Sequence, residues 1–579
     1  MRSWVKQFAI VLAGVTTTVT AVQAEVDLAA RGSAIAKKYC YNCHGTTFNG
    51  DASLDVLDQD ALLNPDHEYV VAGNLEGSML WQRITDGEMP PKEQPQPTAE
   101  ERQVLQEWIL AGVPMPQRET RQYVEWRGIL QAMHDDLQAA SPEVRNHYRY
   151  FTLTHLYNNV QGVTEMEMRL YRAALAKALN SVSWEPDLVI PHAIDPDQTL
   201  FRIDLRDLGW DEKKWRVLLK NYPYGVNFRN VNDDAIAKLD EDVGLYTQTP
   251  LCHIRADWFI VRGMRPPIYH ELLELPDTAA AIEKLLRVDA KQDYEQDRLA
   301  RAGFVVSAVS AGNRVADRHP AAYGYYWKSF DFKKETKRGN IMQFPLGPTF
   351  DGHPYPDLAF NQDGGEMIFG LPNGLQAYML VDGQGQRIDE GPVEVVRDLK
   401  ETSGAPIIVN GLSCMSCHRH GTIEFKDSLR DGAGALGDAR RKVRTLCPPP
   451  DEMQRLVAKD SRRFLEALAE CTGPFLQVGE DSEKPIEDFP EPVGSIARKY
   501  EQRLSLTDVA CECLVENPDL LKGMLMGNQQ LRSQLGLGPL VNDEKISRNN
   551  WETRDSVVSP QQQVMQQLGF GTPQLIFDE

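Results

Sequence analysis

"NGLSCMSCHRHG", Asn410 to Gly421, contains the pentad Cys414-Met415-Ser416-Cys417-His418. C-x-x-C-H is the attachment signal for a c-type haem. The two thiols bond covalently to the haem vinyl groups, and the imidazole that follows is placed to ligate the iron axially. The same cysteine spacing also serves thiol redox pairs and half of a zinc site. What stands around the pentad decides between these readings.

A second pentad, Cys40-Tyr41-Asn42-Cys43-His44, lies near the other end of the chain. Ahead of it, residues 1–24 read as a secretory signal: Arg2 and Lys6, an apolar run around Phe8–Val15, then Val22-Gln23-Ala24 as a small-x-small cleavage pattern. The apolar run falls short of the ~20 residues that span a bilayer, and no later segment is apolar enough to do so. The mature chain is therefore expected outside the cytoplasm, in the periplasm if the source is a bacterium, with no transmembrane segment. Two complete pentads behind an export signal predict two covalently bound haems, with Cys40, Cys43, His44, Cys414, Cys417 and His418 as the attachment and proximal residues.

The 579 residues, 42% hydrophobic and 25% charged, suit a globular protein of several domains. A net charge of −21 disfavours nucleic acid as a partner and leaves redox partner proteins as the expected ones. Five further cysteines remain: Cys252, Cys447, Cys471, Cys511 and Cys513. In an oxidising compartment they are open to disulfide formation, with Cys447 and Cys471 as plausible partners. Their odd number leaves at least one thiol over.

Residues 25–117 read as an all-α unit. An amphipathic helix with Leu28, Ile35 and Tyr39 near its apolar stripe runs into the first pentad. Later, Thr98 and Glu101 form a capping-box pattern, followed by a helix with Val104, Leu105, Trp108 and Ile109 on one side that ends near Gly112. Between them lies the proline-stiffened loop Gly87-Glu88-Met89-Pro90-Pro91. The pentad, "RITDGEMPP" and "WILAGVP" together resemble the planctomycete-type cytochrome c domain of the class I cytochrome c superfamily. That resemblance implies Met89 as the distal iron ligand, with Met79 as the alternative. A His/Met pair fills both axial positions and raises the reduction potential, which suits electron transfer.

Residues 118–345 show mixed α/β patterning. "EMRLYRAALAKALNSVSW" reads as a helix, "QTLFRIDLRDLGWDEKKWRVLLKNYP" as strand, turn and helix, and "GYYWKSFDF" as a strand. Their histidines, among them His253, His270 and His319, read as ordinary polar or partly buried residues.

Residues 346–450 form the second haem-binding region. "EMIFGLPNGLQAYMLVDGQGQRID" reads as a hairpin meander with turns at Pro372-Asn373-Gly374 and Asp382-Gly383-Gln384-Gly385. A strand-to-turn segment after "APIIVN" is expected to deliver His418. The hairpin Glu366–Asp389 is expected to cover the second haem, with Phe369, Leu371, Leu375 and Tyr378 against the ring. This block, with "GYYWKSFDF" upstream, is similar to large exported bacterial cytochrome c-type proteins, which implies haem binding and export but no substrate. No G-x-M-P-P loop follows His418, and His420 is too near it to reach round the ring. The distal position is left to His353, Met367, Met379, Met453, Met524 or Met526, or to no protein ligand. Residues 451–579 read as a helical C-terminal part, with Ser556–Glu579 polar and loosely ordered.

The fold expected is thus multidomain α+β. The function expected is a periplasmic dihaem c-type cytochrome that transfers electrons. Two alternatives stay open: a dihaem peroxidase-type oxidoreductase with chemistry at the second haem, and a haem-bearing partner-binding subunit of a periplasmic redox complex. Whether the protein is an enzyme is not decided by its motifs.

Overall fold

The computed structural model describes residues 28–41, 44, 54, 56–65, 67–92, 94–115, 121–305, 313–332, 339–553 and 557–576. Cys43 and the export signal expected at residues 1–24 lie outside the described residues. The chain divides into two compact units between Thr120 and Arg121. Together they make a multidomain protein of mixed α and β structure, and no described helix is long and apolar enough to cross a membrane.

The described part of the first unit is built from helices: residues 28–39, Gln59–Leu62, Met79–Thr85 and Ala99–Leu110. The last of these starts as its sequence predicts. The Thr98 side chain accepts from the Glu101 N–H, and the Glu101 carboxylate accepts from the Thr98 N–H, satisfying two donors that a helix start leaves unpaired. Val104, Leu105, Trp108 and Ile109 are buried with Ile35, Ala36 and Leu62. A Cβ on Gly32 would stand 2.3 Å from the Trp108 ring, so a glycine there lets the first helix press onto the last. Tyr39 and Lys38 then donate to the Glu101 carboxylate at 2.8 and 2.9 Å.

The described residues of the second unit form three sheets. Strands β1 (Tyr148–Thr152), β2 (His192–Ala193), β3 (Leu200–Asp204) and β5 (His253–Arg255) form one in the order β2-β3-β1-β5, with β1 and β5 parallel. A six-stranded antiparallel meander, in the order β11-β10-β9-β8-β7-β6, contains β6 (Ala300–Phe304), β7 (Arg314–Ala321), β8 (Gly324–Asp331), β9 (Gly364–Gly370), β10 (Gln376–Asp382) and β11 (Arg387–Ile388). It draws strands from both sides of residue 345. The third sheet pairs β4 (Val226–Asn227) with β12 (Thr572–Pro573).

Around these sheets pack helices whose periodicity is legible in the chain. Glu165–Ser181, opened by a Thr164/Glu167 capping box, carries the long helices Pro450–Leu476 and Pro492–Tyr500 on its buried sides. The end of the chain departs from the expected loose tail. Pro560–Gln567 is a helix with Val564 and Met565 fully buried, and Gln562 donates to the Gly225 carbonyl at 2.6 Å. A polar composition concealed these two apolar anchors and the β12 pairing.

The pairing weighed between Cys447 and Cys471 does not form; both are free thiols. The helix Pro450–Leu476 starts just after Cys447 and carries Cys471 near its far end. At about 1.5 Å of rise per residue it sets them roughly 30 Å apart, far beyond the ~7 Å Cα separation that a disulfide tolerates.

Candidate functional site

The first pentad begins at the end of the helix over residues 28–39. Cys40 N–H donates to the Ala36 carbonyl at 2.9 Å, and His44 N–H to the Cys40 carbonyl at 2.8 Å. His44 Nδ1 is buried and has no partner among the described residues. Burial lowers the pKa of this imidazole, favouring the neutral form that can ligate a metal. A buried imidazole nitrogen left unpaired is costly, and the residues fit a group that would engage this ring. Met89 follows the helix Met79–Thr85, with its N–H donating to the Arg83 carbonyl at 3.0 Å. Met89 is 37% exposed, much like Met79 at 39%.

The second pentad lies on a helix, where the sequence suggested a strand leading into a turn. Leu412–Cys417 is one short helix, and His418 caps its C-terminus through an N–H bond to the Cys414 carbonyl at 2.8 Å. The preceding apolar run "IIV" contributes only an isolated bridge, Glu390 to Val409. Its alternation is too short to make a strand, and Gly411 redirects the chain. Gly411 has φ +79°, and a Cβ there would meet the Met264 carbonyl oxygen at 2.6 Å. Both the left-handed backbone and the close approach call for glycine.

Long-range contacts hold this helix in place. Asn410 donates to His270 Nε2 at 2.7 Å, and the Ser413 hydroxyl donates to Asp398 at 3.1 Å. The helix Pro492–Tyr500 packs on its side. His270, read from the sequence as an ordinary histidine, therefore supports the start of the attachment segment.

His418 has its two ring nitrogens in different surroundings. Nδ1 donates to the Gly421 carbonyl at 3.1 Å. This bond anchors the ring from its Nδ1 side, as partners of the far nitrogen do for metal-ligating histidines, and it turns Nε2 towards Glu366. Nε2 stands 3.7 Å from the Glu366 carboxylate. The Tyr378 ring stacks against the imidazole, with centroids 6.0 Å apart.

Strand alternation sorts the hairpin residues. Tyr378 pairs with Ile368, and Leu380 with Glu366, so these four share the face that meets His418. Met367 and Met379 pair with each other on the opposite face. Phe369 lies on that opposite face too and stacks on Trp184 at 6.1 Å. Of the residues expected to cover the ring, Tyr378 meets His418 and Phe369 points to the other core. Leu371 and Leu375 close the turn, where the Leu371 N–H donates to the Leu375 carbonyl at 2.8 Å.

Glu366 connects the pentad to a cavity of about 290 Å³, near the lower end of the roughly 300–1,000 Å³ typical of small-molecule sites. Leu380, Ile388, Val395, Val396 and Ile408 give it apolar walls, and Arg314, Asp331, Asp363, Asp382 and Glu390 line its polar side. Burial opposes ionisation of Glu366, but hydrogen bonding and charge from His418, with Arg314 and Cys414, bring its pKa down to about 2. The thiols move the other way. Burial, then the Glu366 charge, raises Cys414 well above its ordinary value. Burial, Asp398 and Glu366 push Cys417 up to about 11. A thiol redox pair needs a stabilised thiolate, and these surroundings work against one.

Several of the other histidines and methionines weighed for the iron have other surroundings. His353 packs between Phe350 and Tyr294 and accepts from the Tyr355 N–H. His420 pairs with the Glu487 carbonyl at 3.0 Å. Met453 belongs to the main hydrophobic core, and Met526 is 56% exposed. His319 is tied to Asp293 at 2.8 Å, and His253 lies buried beside the Trp126 ring.

The family model for planctomycete cytochrome C matches residues 40–93. That span is a cytochrome c domain; it contains Cys40, Cys43, His44 and Met89, and it implies covalent haem and haem-based electron transfer. The second pentad falls outside it. No curated protein and no solved structure matches the chain.

Proposed function

We propose that this protein is an exported dihaem cytochrome. It carries one covalent haem in the N-terminal domain and a second at Cys414, Cys417 and His418, and passes single electrons between partner proteins. The observation that carries the second haem is the His418 ring: Nδ1 is committed to the Gly421 carbonyl, while Nε2 faces the edge of a largely apolar cavity through Glu366. The bound haem supplies reversible one-electron chemistry. The chain holds each ring by two thiols and an imidazole, excludes water with apolar walls, and tunes each iron through its other axial group. In the first domain, Met89 is the proposed thioether ligand. The signal at residues 1–24 supports export to the periplasm, where covalent haem attachment and oxidising conditions are compatible.

The acidic chain, with net charge −21, favours basic surfaces on its electron donors and acceptors. A reductive titration of the oxidised mature protein tests the proposal. Two one-electron waves per chain are expected. A single wave accounting for all electrons taken up would reduce the protein to a one-haem cytochrome with a large non-redox region.

A further inference from the structure

Away from both pentads, a guanidinium stands without an acceptor. Arg265 lies in the short connection between the helices Ala256–Arg262 and Ile268–Leu272. Its side chain is 23% exposed and donates no hydrogen bond among the described residues. The nearest carboxylate oxygen, on Glu501, stands 3.6 Å from Nη1, beyond hydrogen-bond reach. Arg262 already takes Glu501 through Nη1 at 2.6 Å and Glu552 through Nη2 at 2.8 Å. Burial, with the Arg262 charge, outweighs the carboxylates around Arg265 and lowers its pKa. A half-buried guanidinium carries several donors, and leaving them unmet is costly.

Arg265 lines a cleft of about 600 Å³, within the size range of small-molecule sites. Trp258, only 2% exposed, meets the same cleft, and its indole N–H also donates to no described residue. A buried indole N–H ordinarily finds an acceptor. Pro223, Pro267 and Ile268 add apolar surface. The charged lining is Lys220, Arg262 and Arg265 against Glu501 and Glu552, so cations exceed carboxylates here in a chain whose net charge is −21.

We propose that this cleft binds a small organic carboxylate, a monoanion on an apolar body, held by the Arg265 guanidinium and the Trp258 indole N–H. The planar fork of arginine matches the two oxygens of a carboxylate. The slight excess of positive charge in the lining suits a monoanion. A doubly charged phosphate would bring its second charge against Glu501 and Glu552. The site uses none of Cys414, Cys417 and His418, and it stands independently of the two-haem reading above.

Calorimetric titration of the full mature holoprotein with sodium benzoate tests the assignment. Benzamide, which lacks the charge, and inorganic phosphate, which lacks the planar carboxylate, are the contrasting probes. Benzoate is expected to saturate one site per chain below about 10 mM. Benzamide and phosphate should bind at least about tenfold more weakly, the scale of one charge-assisted hydrogen bond. Arg265→Ala and Arg265→Lys should each weaken benzoate at least about tenfold, since lysine keeps the charge and loses the fork. Trp258→Phe keeps an aromatic ring, drops the N–H, and should weaken benzoate about threefold or more. Arg265 donates to no described residue, so its variants should melt with the wild type. Absence of saturable benzoate binding, or equal binding of benzamide or phosphate, would overturn the site. Wild-type benzoate affinity in any of the three folded variants would do the same.

Discussion

Glu512→Ala is expected to lower the stability of the second unit by about 3–5 kcal/mol, the usual cost of breaking a buried ion pair from one side. Glu512 is 5% exposed in its side chain. Its carboxylate accepts from Arg255 at 2.9 Å, from Trp551 Nε1 at 2.7 Å and from Arg548 at shorter range. Arg255 also pairs with Asp257, which holds His155 at 3.0 Å. Removing the one carboxylate leaves two guanidinium groups buried with a single remaining counter-charge on Asp257. Chemical denaturation of the holoprotein at neutral pH measures the loss. A change below about 1 kcal/mol would mean that water reaches this cluster.

The same network has a pH signature. Burial opposes the charge on Glu512, but Arg255 and Arg548 outweigh it and bring the pKa from its ordinary 4.5 down to about 2. A carboxyl depressed on folding contributes stability that is fully present above the unfolded pKa and is lost as pH falls through the folded one. Stability should thus decline between about pH 4.5 and pH 2, and Glu512→Ala should flatten that decline.

Met89→Ala is expected to open the first haem and lower its potential. A thioether favours ferrous iron, and with it gone the ferrous-to-ferric ratio should fall at least about tenfold at a fixed potential, about 59 mV for one electron. Met89 is 37% exposed, so the variant leaves the buried core around Trp108 untouched and should keep its fold. The second haem, in a separate unit, should keep its midpoint. Spectroelectrochemistry on the full protein separates the two. An unchanged first wave would assign the position to Met79 or to another group.

Sequence periodicity made much of this molecule legible, and the failures share a cause. The Thr98/Glu101 cap, the Trp108 face and the turns at Gly374 and Gly385 depend on neighbours within a few residues, and all appear where the residues put them. The pentads are equally local. The short helix at Leu412–Cys417 is different, because its place depends on His270, Asp398 and the helix Pro492–Tyr500, all remote in the chain. Phe369 was misplaced because an apolar residue in a strand buried on both faces gives no sign of which face it takes. Glu366 carried no motif at all. The signal available was a lone carboxylate in an otherwise apolar strand, "GGEMIFG", with Tyr378 and Leu380 on the same face of the partner strand.

Both pentads are proposed to carry covalent haem. The intact mass of the denatured mature protein, with a pyridine haemochrome count, tests it most directly. A mass excess of two haems is expected, falling to one when Cys414 and Cys417 are both changed to serine. A wild-type excess of one haem, unaltered by that double substitution, would contradict it.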